Sequence, residues 1–452
     1  MKISFYGGAG MVTGSNFLLE SENSKIVIDC GLFQGCGESC TEVNSKPFAY
    51  DPASIDTLLV THAHMDHIGR IPKLVKDGFV GKIYSTKETR QLAELMLEDS
   101  VGLMDKDAKL HNKEPIYDES HVRAALQLWK GIEYHESIDV GGSVNALFKD
   151  AGHVLGSAMI ELSRNGKKMI FSGDIGSSPS ILLRDTETLG HIDYLVLEST
   201  YGASNHEPKE KRIQELQTLI NDTWEHKGAL IIPAFSLERS QEILYDLNEL
   251  VEGGLVKQMP VFLDSPLAIK ITEIYKGGTE YFNDEVKARI AKGDNIFEFP
   301  KLKITLWGGE SRKIADTPNP KIIIAGGGMS TGGRILFHEQ IYLPDANNTL
   351  AIVGYQAVGS LGRQIEEGSK EVIIHGETVP VRAKIACIKS YSGHKDMDEI
   401  ISFVEPSAKG LKKVFLVHGE MKQALFLAQR VRDYLGVDGV VPKIGDSYEF
   451  DF

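Results

Sequence analysis

Four cysteines in 452 residues, none of them a Cys-x-x-Cys pair, leave little basis for a disulfide framework or a cysteine metal knuckle. Cys30, Cys36 and Cys40 cluster after Asp29, with a local disulfide or an extra metal site as the alternative, and Cys387 stands apart; reduced, partly buried thiols are the expectation. No apolar run approaches the roughly 20 residues that cross a bilayer. The opening Met-Lys-Ile-Ser-Phe-Tyr-Gly-Gly breaks into glycines too early for a secretory leader, so no membrane and a cytoplasmic location are expected. An excess of positive charge is missing as well. Lys and Arg number 49 against 63 Asp and Glu, a formal charge of −14. That argues against a non-specific polyanion binder, although local groove charge still decides site binding. Fixed-period repeats and low-complexity tracts are absent too. What remains is an ordinary globular composition, 42% hydrophobic and 25% charged, on a chain long enough for two domains.

Histidine is scarce at 14, which makes its distribution informative. Residues 61–67 read Thr-His-Ala-His-Met-Asp-His and pack His62, His64, Asp66 and His67 behind the apolar run Thr57-Leu58-Leu59-Val60. A strand end is a rigid place from which alternate side chains converge. Three imidazoles and a carboxylate there suit one or two borderline-soft divalent ions, zinc first. Ionisable residues recur at five more apolar strand ends. Asp29 follows Ile26-Val27-Ile28, and Asp174 follows Met169-Ile170-Phe171 within Phe-Ser-Gly-Asp. Glu198 ends Leu195-Val196-Leu197, His418 ends Val414-Phe415-Leu416-Val417, and His153 sits in Gly-His-Val-Leu-Gly-Ser-Ala. A charge in such a place is costly unless paired or bound to metal.

Glycine turns separate short strands over the first 200 residues or so, and Asn165-Gly166 between Ile160-Glu161-Leu162 and Met169-Ile170-Phe171 predicts a hairpin. The spacing of Leu92, Leu95, Met96 and Leu103 predicts a packing helix over Arg90–Met104. A long insertion separates His418 from the other ligands. It opens at Tyr201-Gly202-Ala203-Ser204-Asn205 and continues into a helix-like Lys209–Thr223. Strand-to-helix units then repeat at Ala229-Leu230-Ile231-Ile232-Pro233, Val261-Phe262-Leu263-Asp264 and Lys321-Ile322-Ile323-Ile324, which predicts a parallel sheet flanked by helices.

The order His-x-His-x-Asp-His, then His153, Asp174 and His418, resembles the metallo-β-lactamase superfamily. That resemblance implies His62, His64 and His153 on a first metal, Asp66, His67 and His418 on a second, and Asp174 between them. Asp29 would steady the ligand loop, either through an imidazole or through loop amides. Three further motifs surround the insertion: Glu198-Ser199-Thr200-Tyr201-Gly202, Tyr391-Ser392-Gly393-His394-Lys395-Asp396 and Val417-His418-Gly419-Glu420. They resemble motifs A, B and C of the β-CASP nucleases. Within the insertion, Ile232-Pro233-Ala234-Phe235, Asp264-Ser265-Pro266-Leu267-Ala268, Gly354-Tyr355-Gln356-Ala357 and Leu361-Gly362-Arg363 look like the same family. The likeness is to its RNA-processing branch; DNA-repair members usually carry an aliphatic residue where this chain has His418.

The resemblance implies an α/β protein, a metallo-β-lactamase αββα sandwich over 1–204 and 380–452 with an inserted α/β β-CASP cap domain over 205–379. The implied activity is RNA phosphodiester hydrolysis in a cleft between the domains by a metal-activated hydroxide, leaving 5′-phosphate and 3′-hydroxyl ends. Two Zn²⁺ ions, with Mn²⁺ as the other candidate, would be the cofactors. Asp66, Glu198 and His394 would be catalytic, His394 as proton donor to the leaving oxygen with Glu198 orienting it, and Asp396 would lie behind the ligands with Asp29. The segment Gly326–Gly333, including Gly327, Gly328 and Ser330, would meet phosphate together with Ser265, Arg239, Arg334 and Arg363. Two residues depart from the family: Gly327 stands where serine is common, and Glu238 where glycine is usual. A small-molecule metallo-hydrolase, a DNA nuclease and an inactive RNA-binding scaffold are the rival readings. Single-stranded RNA is the expected partner, and a homodimer and RNA-processing proteins stay open.

Overall fold

The computed structural model describes residues 1–35, 38–111 and 114–452. The chain divides into two compact units. One comprises Met1–Gln34, Glu38–Asn205 and Gly393–Phe452; the other spans His206–Ser392. By packing, the chain leaves the first unit after Asn205 and returns to it at Gly393. The strand Lys384–Cys387 hydrogen-bonds to Thr349–Ile352 and keeps the chain in the second unit's sheet.

Two seven-stranded sheets build the first unit. Alternation within its central strands explains their nearly continuous apolar sequences. Met169, Phe171, Val196, Phe415 and Val417 face Phe5, Phe17, Ile28 and Leu59 of the other sheet. Their neighbours Ile170, Leu195, Leu197, Val414 and Leu416 pack instead with Ile400 and Val404 of the helix Met397–Val404 and with Leu427 and Val431 of Met421–Leu435. A strand buried on both faces must be apolar at every position. Asn165 and Gly166 form the expected two-residue turn, with φ of 51° and 76°, and pair Lys167 with Arg164.

Polarity of pairing positions the site. Lys25–Ile28 runs parallel to Thr57–Leu59, and Lys167–Phe171, Tyr194–Glu198 and Lys413–Val417 run parallel to one another. The residues that follow these strands therefore emerge at a common edge of each sheet.

The helix expected around Arg90–Met104 extends over Lys87–His111. Its buried face is Leu92, Ala93 and Leu97, whereas Leu103 is exposed. In the second unit six strands, Leu302–Ile304, Val261–Asp264, Lys321–Gly326, Ala229–Ala234, Thr349–Ile352 and Lys384–Cys387, form one all-parallel sheet in that spatial order. Cys30 is a buried free thiol and Cys387 an exposed one. Cys40 is disulfide-bonded rather than reduced, a departure from expectation, and Cys36 lies outside the described residues. No helix among the described residues is long and apolar enough to cross a membrane.

Candidate metal centre

The heptapeptide turns on its first residue. Asp29, at φ 57°, accepts the Thr61 amide (2.8 Å), the Thr61 hydroxyl (2.9 Å), the Ser15 hydroxyl (3.0 Å) and His67 Nδ1 (2.7 Å). Bracing the loop amide and orienting an imidazole are thus one role, performed by one carboxylate. With Nδ1 committed to Asp29, His67 presents Nε2 to the interior. His418, at φ 49°, is held likewise: Nδ1 donates to Val12 O (2.9 Å) and its amide to Gly8 O (2.7 Å). A Cβ on Gly8, at φ +62°, would lie 2.9 Å from the His418 ring, so glycine is required there.

Among the described residues three donor groups share Asp174: two histidine clusters, and a third that joins it to Glu198 and His394. His62 Nε2 lies 3.1 Å from His64 Nδ1, which lies 3.3 Å from His153 Nε2. Asp174 Oδ2 stands 3.5 Å from His62 Nε2 and 3.7 Å from His153 Nε2. Ligands held about 2.0–2.2 Å from a tetrahedral ion are separated by roughly 3.3–3.6 Å, so these spacings suit zinc. The second cluster joins His67, Asp174 and His418. Asp174 Oδ1 is 3.5 Å from His67 Nε2, and both atoms are buried without a hydrogen-bond partner. With Nδ1–H given to Asp29, Nε2 carries a lone pair as Asp174 Oδ1 does, and two buried acceptors facing each other call for a cation. Asp66 Oδ2 lies 4.0 Å from His67 Nε2, at the edge of this cluster. Asp174 therefore divides its two oxygens between the clusters.

Electrostatics agree at the first cluster. Burial, reinforced by neighbouring imidazoles, pushes His62 and His64 well below the usual histidine range, and burial with His394 beside it lowers His153 to about 4. Neutral imidazole is the form that binds metal. Burial works against the charge of Asp174, yet His67 and His62 outweigh it and hold the carboxylate well below its ordinary value. His67 itself is pushed down by burial but carried well above its usual range by Asp174 and Asp29. Burial raises Asp66.

His394 stands on the flank. Its Nδ1 lies 3.1 and 3.0 Å from the two oxygens of fully buried Glu198, whose Oε1 also accepts the Ile175 amide at 2.7 Å. The rings of His394 and His153 are 4.6 Å apart, and Gly393 O accepts His153 Nδ1 at 3.0 Å, so motif B touches the first cluster through backbone as well. Burial opposes a charge on His394, but Glu198 more than compensates and holds its pKa up at about 9. Asp396, expected behind the ligands, instead caps the helix Met397–Val404, its carboxylate accepting the Glu399 amide at 3.0 Å.

The residues expected to meet phosphate all lie in the second unit. Ser265 caps the helix Pro266–Gly277, and its Oγ sits 3.1 Å from Ser236 Oγ. Gly327 has φ +118°, and a Cβ there would meet Gly332 O at 2.2 Å, so this turn has no room for the family's serine. Gly328 packs on the Phe235 ring, and Ser330 donates to Glu339. Arg334 spends its donors on Asp264 and on two loop carbonyls. Arg239 is buried and pairs with Glu242, while Arg363 is half-exposed beside Glu367. Glu238 sits at φ 67°, ψ −58°, with the Arg239 amide bonded to Leu237 O at 3.0 Å, a positive-φ γ-turn that explains why glycine is usual. Its carboxylate is buried and accepts from the Tyr275 hydroxyl. Sequence reasoning missed Thr61, Ser15 and Gly8. Thr61 opens the heptapeptide, and Gly7-Gly8 directly after the first strand was the available signal for the others.

This arrangement matches known families in the same chain order. Residues 9–200 match the metallo-β-lactamase superfamily, 240–365 the β-CASP domain, and 378–442 the Zn-dependent metallo-hydrolase RNA specificity domain. The chain belongs to the β-CASP ribonuclease family of the metallo-β-lactamase superfamily, a fold that binds divalent metal. Among its relatives is Ribonuclease TTHA0252 of Thermus thermophilus, 36% identical over 95% of both chains. The RNase J-like protein of Methanocaldococcus jannaschii is 31% identical over 98% of both. Transcription termination factor FttA of Methanosarcina mazei is 32% identical, over 97% of this chain and 70% of its own length. A crystal structure of a protein of unknown function from Enterococcus faecalis V583 shares the fold over 99% of both chains, with a TM-score of 0.55 and 12% identity.

Proposed function

We propose that the protein is a two-metal ribonuclease that hydrolyses phosphodiesters of single-stranded RNA and leaves 5′-phosphate and 3′-hydroxyl ends. One observation carries the reading: Asp174 shares its oxygens between two donor clusters while a carboxylate-held histidine stands beside the first. Family membership supports a metal-dependent nuclease, and the curated relatives named above include ribonucleases.

His62, His64, His153 and Asp174 would hold one ion, and Asp174, His67 and His418 the other, with Asp66 at its edge. Bound there, zinc or manganese would lower the pKa of water and neutralise charge on a phosphoryl group. The chain's own residues do the rest. Glu198, buried and fixed by the Ile175 amide, keeps the His394 ring in place and favours its proton-bearing form. A histidinium so placed can pass a proton to the departing 3′ oxygen. Asp29 and Val12 O fix the tautomers of His67 and His418.

The test is product analysis on 5′-end-labelled single-stranded RNA, with DNA of the same sequence and a thioester and a lactam alongside. Expected are RNA fragments with 3′-hydroxyl ends, removed by chelator. RNA left intact while a thioester or lactam is hydrolysed would hand the site to the small-molecule reading.

A further inference from the structure

An exposed aromatic is tied to the Gly326–Gly333 turn, and nothing above uses it. Arg334, directly after the turn, sends Nη1 to Asp264 Oδ1 (2.6 Å) and Thr305 O (2.9 Å) and Nη2 to Leu306 O (2.8 Å). From the other side, Glu310 Oε2 accepts the amides of Leu306 and Trp307, both at 3.1 Å. Residues 305–307 are therefore braced one after another, yet the Trp307 side chain is 71% exposed. Ile304 and Leu306 are exposed beside it, whereas Trp129 is buried. A rigid loop that holds its largest apolar group in water forgoes that group's burial, which is the mark of a binding surface.

The surroundings choose the occupant. Lys303, Arg312 and Lys313 are exposed. Of the nearby acids, Glu310 accepts the loop amides and Asp264 is taken up by Thr305, Ser311, Arg334 and His338, while Asp316 is exposed. A shallow groove of about 450 Å³ adjoins, with Phe262, Ile304 and Ile314 among its apolar lining and Lys303, Lys313 and the single acid Glu310 along it. An unpaired nucleotide needs a flat π-face for its base and cations for its phosphates. A second copy of this chain docked face to face would set Lys303, Arg312 and Lys313 against themselves, which like-charge repulsion disfavours. We propose that Trp307 is a stacking platform for a base of single-stranded RNA, with Lys303 and Lys313 pairing with the flanking phosphates. The proposal rests on the ribonuclease reading and names where the insertion grips the substrate.

Binding of a fluorescein-labelled single-stranded RNA of about twelve nucleotides, followed by anisotropy in the slow-cleaving His394→Ala background, tests it. Trp307→Ala should weaken binding roughly five- to a hundredfold, the range for loss of one base stack. Trp307→Tyr should recover most of it, and RNA should quench less intrinsic fluorescence in Trp307→Phe than in the parent. Trp224→Ala, an exposed tryptophan on the helix Lys211–His226, should bind like the parent. A thermal midpoint equal to the parent's shows that each variant is folded. Parent-like RNA binding by Trp307→Ala overturns the platform. So does a change in sedimenting mass with RNA affinity intact, which assigns the surface to protein docking. If the wild-type protein cleaves RNA while Trp307→Ala binds normally, only the platform falls. If the wild type neither binds nor cleaves RNA, the ribonuclease reading falls with it.

Discussion

Two histidines late in the chain carry different burdens, and single substitutions separate them. His394 is oriented by Glu198, and His418 by Val12 O and Gly8 O. His394→Ala is expected to retain both ions and to slow RNA cleavage by roughly 10²–10⁴, the usual worth of a positioned general acid. His418→Ala is expected to lose occupancy of the second ion, and activity with it. A good leaving group needs little protonation, so bis(p-nitrophenyl) phosphate should rescue the His394 variant far more than the His418 variant. Equal impairment of the His394 variant on both substrates, or loss of its metal, would remove it as the acid. The Glu198–His394 pairing was anticipated from motif context. The second use of Glu198, accepting the Ile175 amide, was not, because no spacing in the chain records it.

Among the elements, the turn over Gly326–Gly333 is joined to the helix Ile335–Tyr342 behind it through a buried carboxyl. Ser330 donates to Glu339, whose other oxygen is buried without a partner. Burial lifts the Glu339 carboxyl to about 7, although the Ser330 hydroxyl pulls the other way. Its pKa in the unfolded chain is near the ordinary 4.5, so the folded form binds the proton more tightly. The resulting stability is fully present below about pH 4.5 and is lost as pH rises through about 7. The span corresponds to a few kcal/mol at most. Glu339→Gln keeps the shape and cannot ionise, so denaturant midpoints taken from pH 5 to 8 should fall for the parent and stay nearly level for the variant. Parallel profiles would mean that Glu339 is solvated or paired at neutral pH. The γ-turn at Glu238 belongs to this scale too: its carboxylate is buried and accepts from the Tyr275 hydroxyl.

For the molecule as a whole, the metal clusters draw on residues from Asp29 to His418, so binding should report on the folding of the entire first unit. Metal removal leaves Asp174 Oδ1 and His67 Nε2 buried and unpaired. Elemental analysis is expected to find close to two divalent ions per chain, and chelation to lower the melting temperature by several degrees. Asp174→Ala should lose most of both ions and melt alike with and without chelator. A full metal complement in that variant would show that Asp174 does not serve both clusters.

Much of this was legible in one dimension. Ligands at strand ends announce themselves because a strand exposes its residues with period two and stops at a turn. His62, His64, Asp66 and His67 lie within six residues, and the Asn165-Gly166 hairpin needs only local φ values. Chain order was enough to expect the insertion's parallel sheet. Tertiary structure alone decided which atoms meet. It divided the Asp174 oxygens between two clusters, brought Ser15 and Thr61 to Asp29, and turned Asp396 into a helix cap. It also spent Arg334 on loop carbonyls and paired Lys384–Cys387 into the insertion's sheet. The physical reason is common to all of these. Local spacing is written in covalent geometry and backbone preference, whereas the partner of a buried polar atom is settled by packing between segments far apart in the chain.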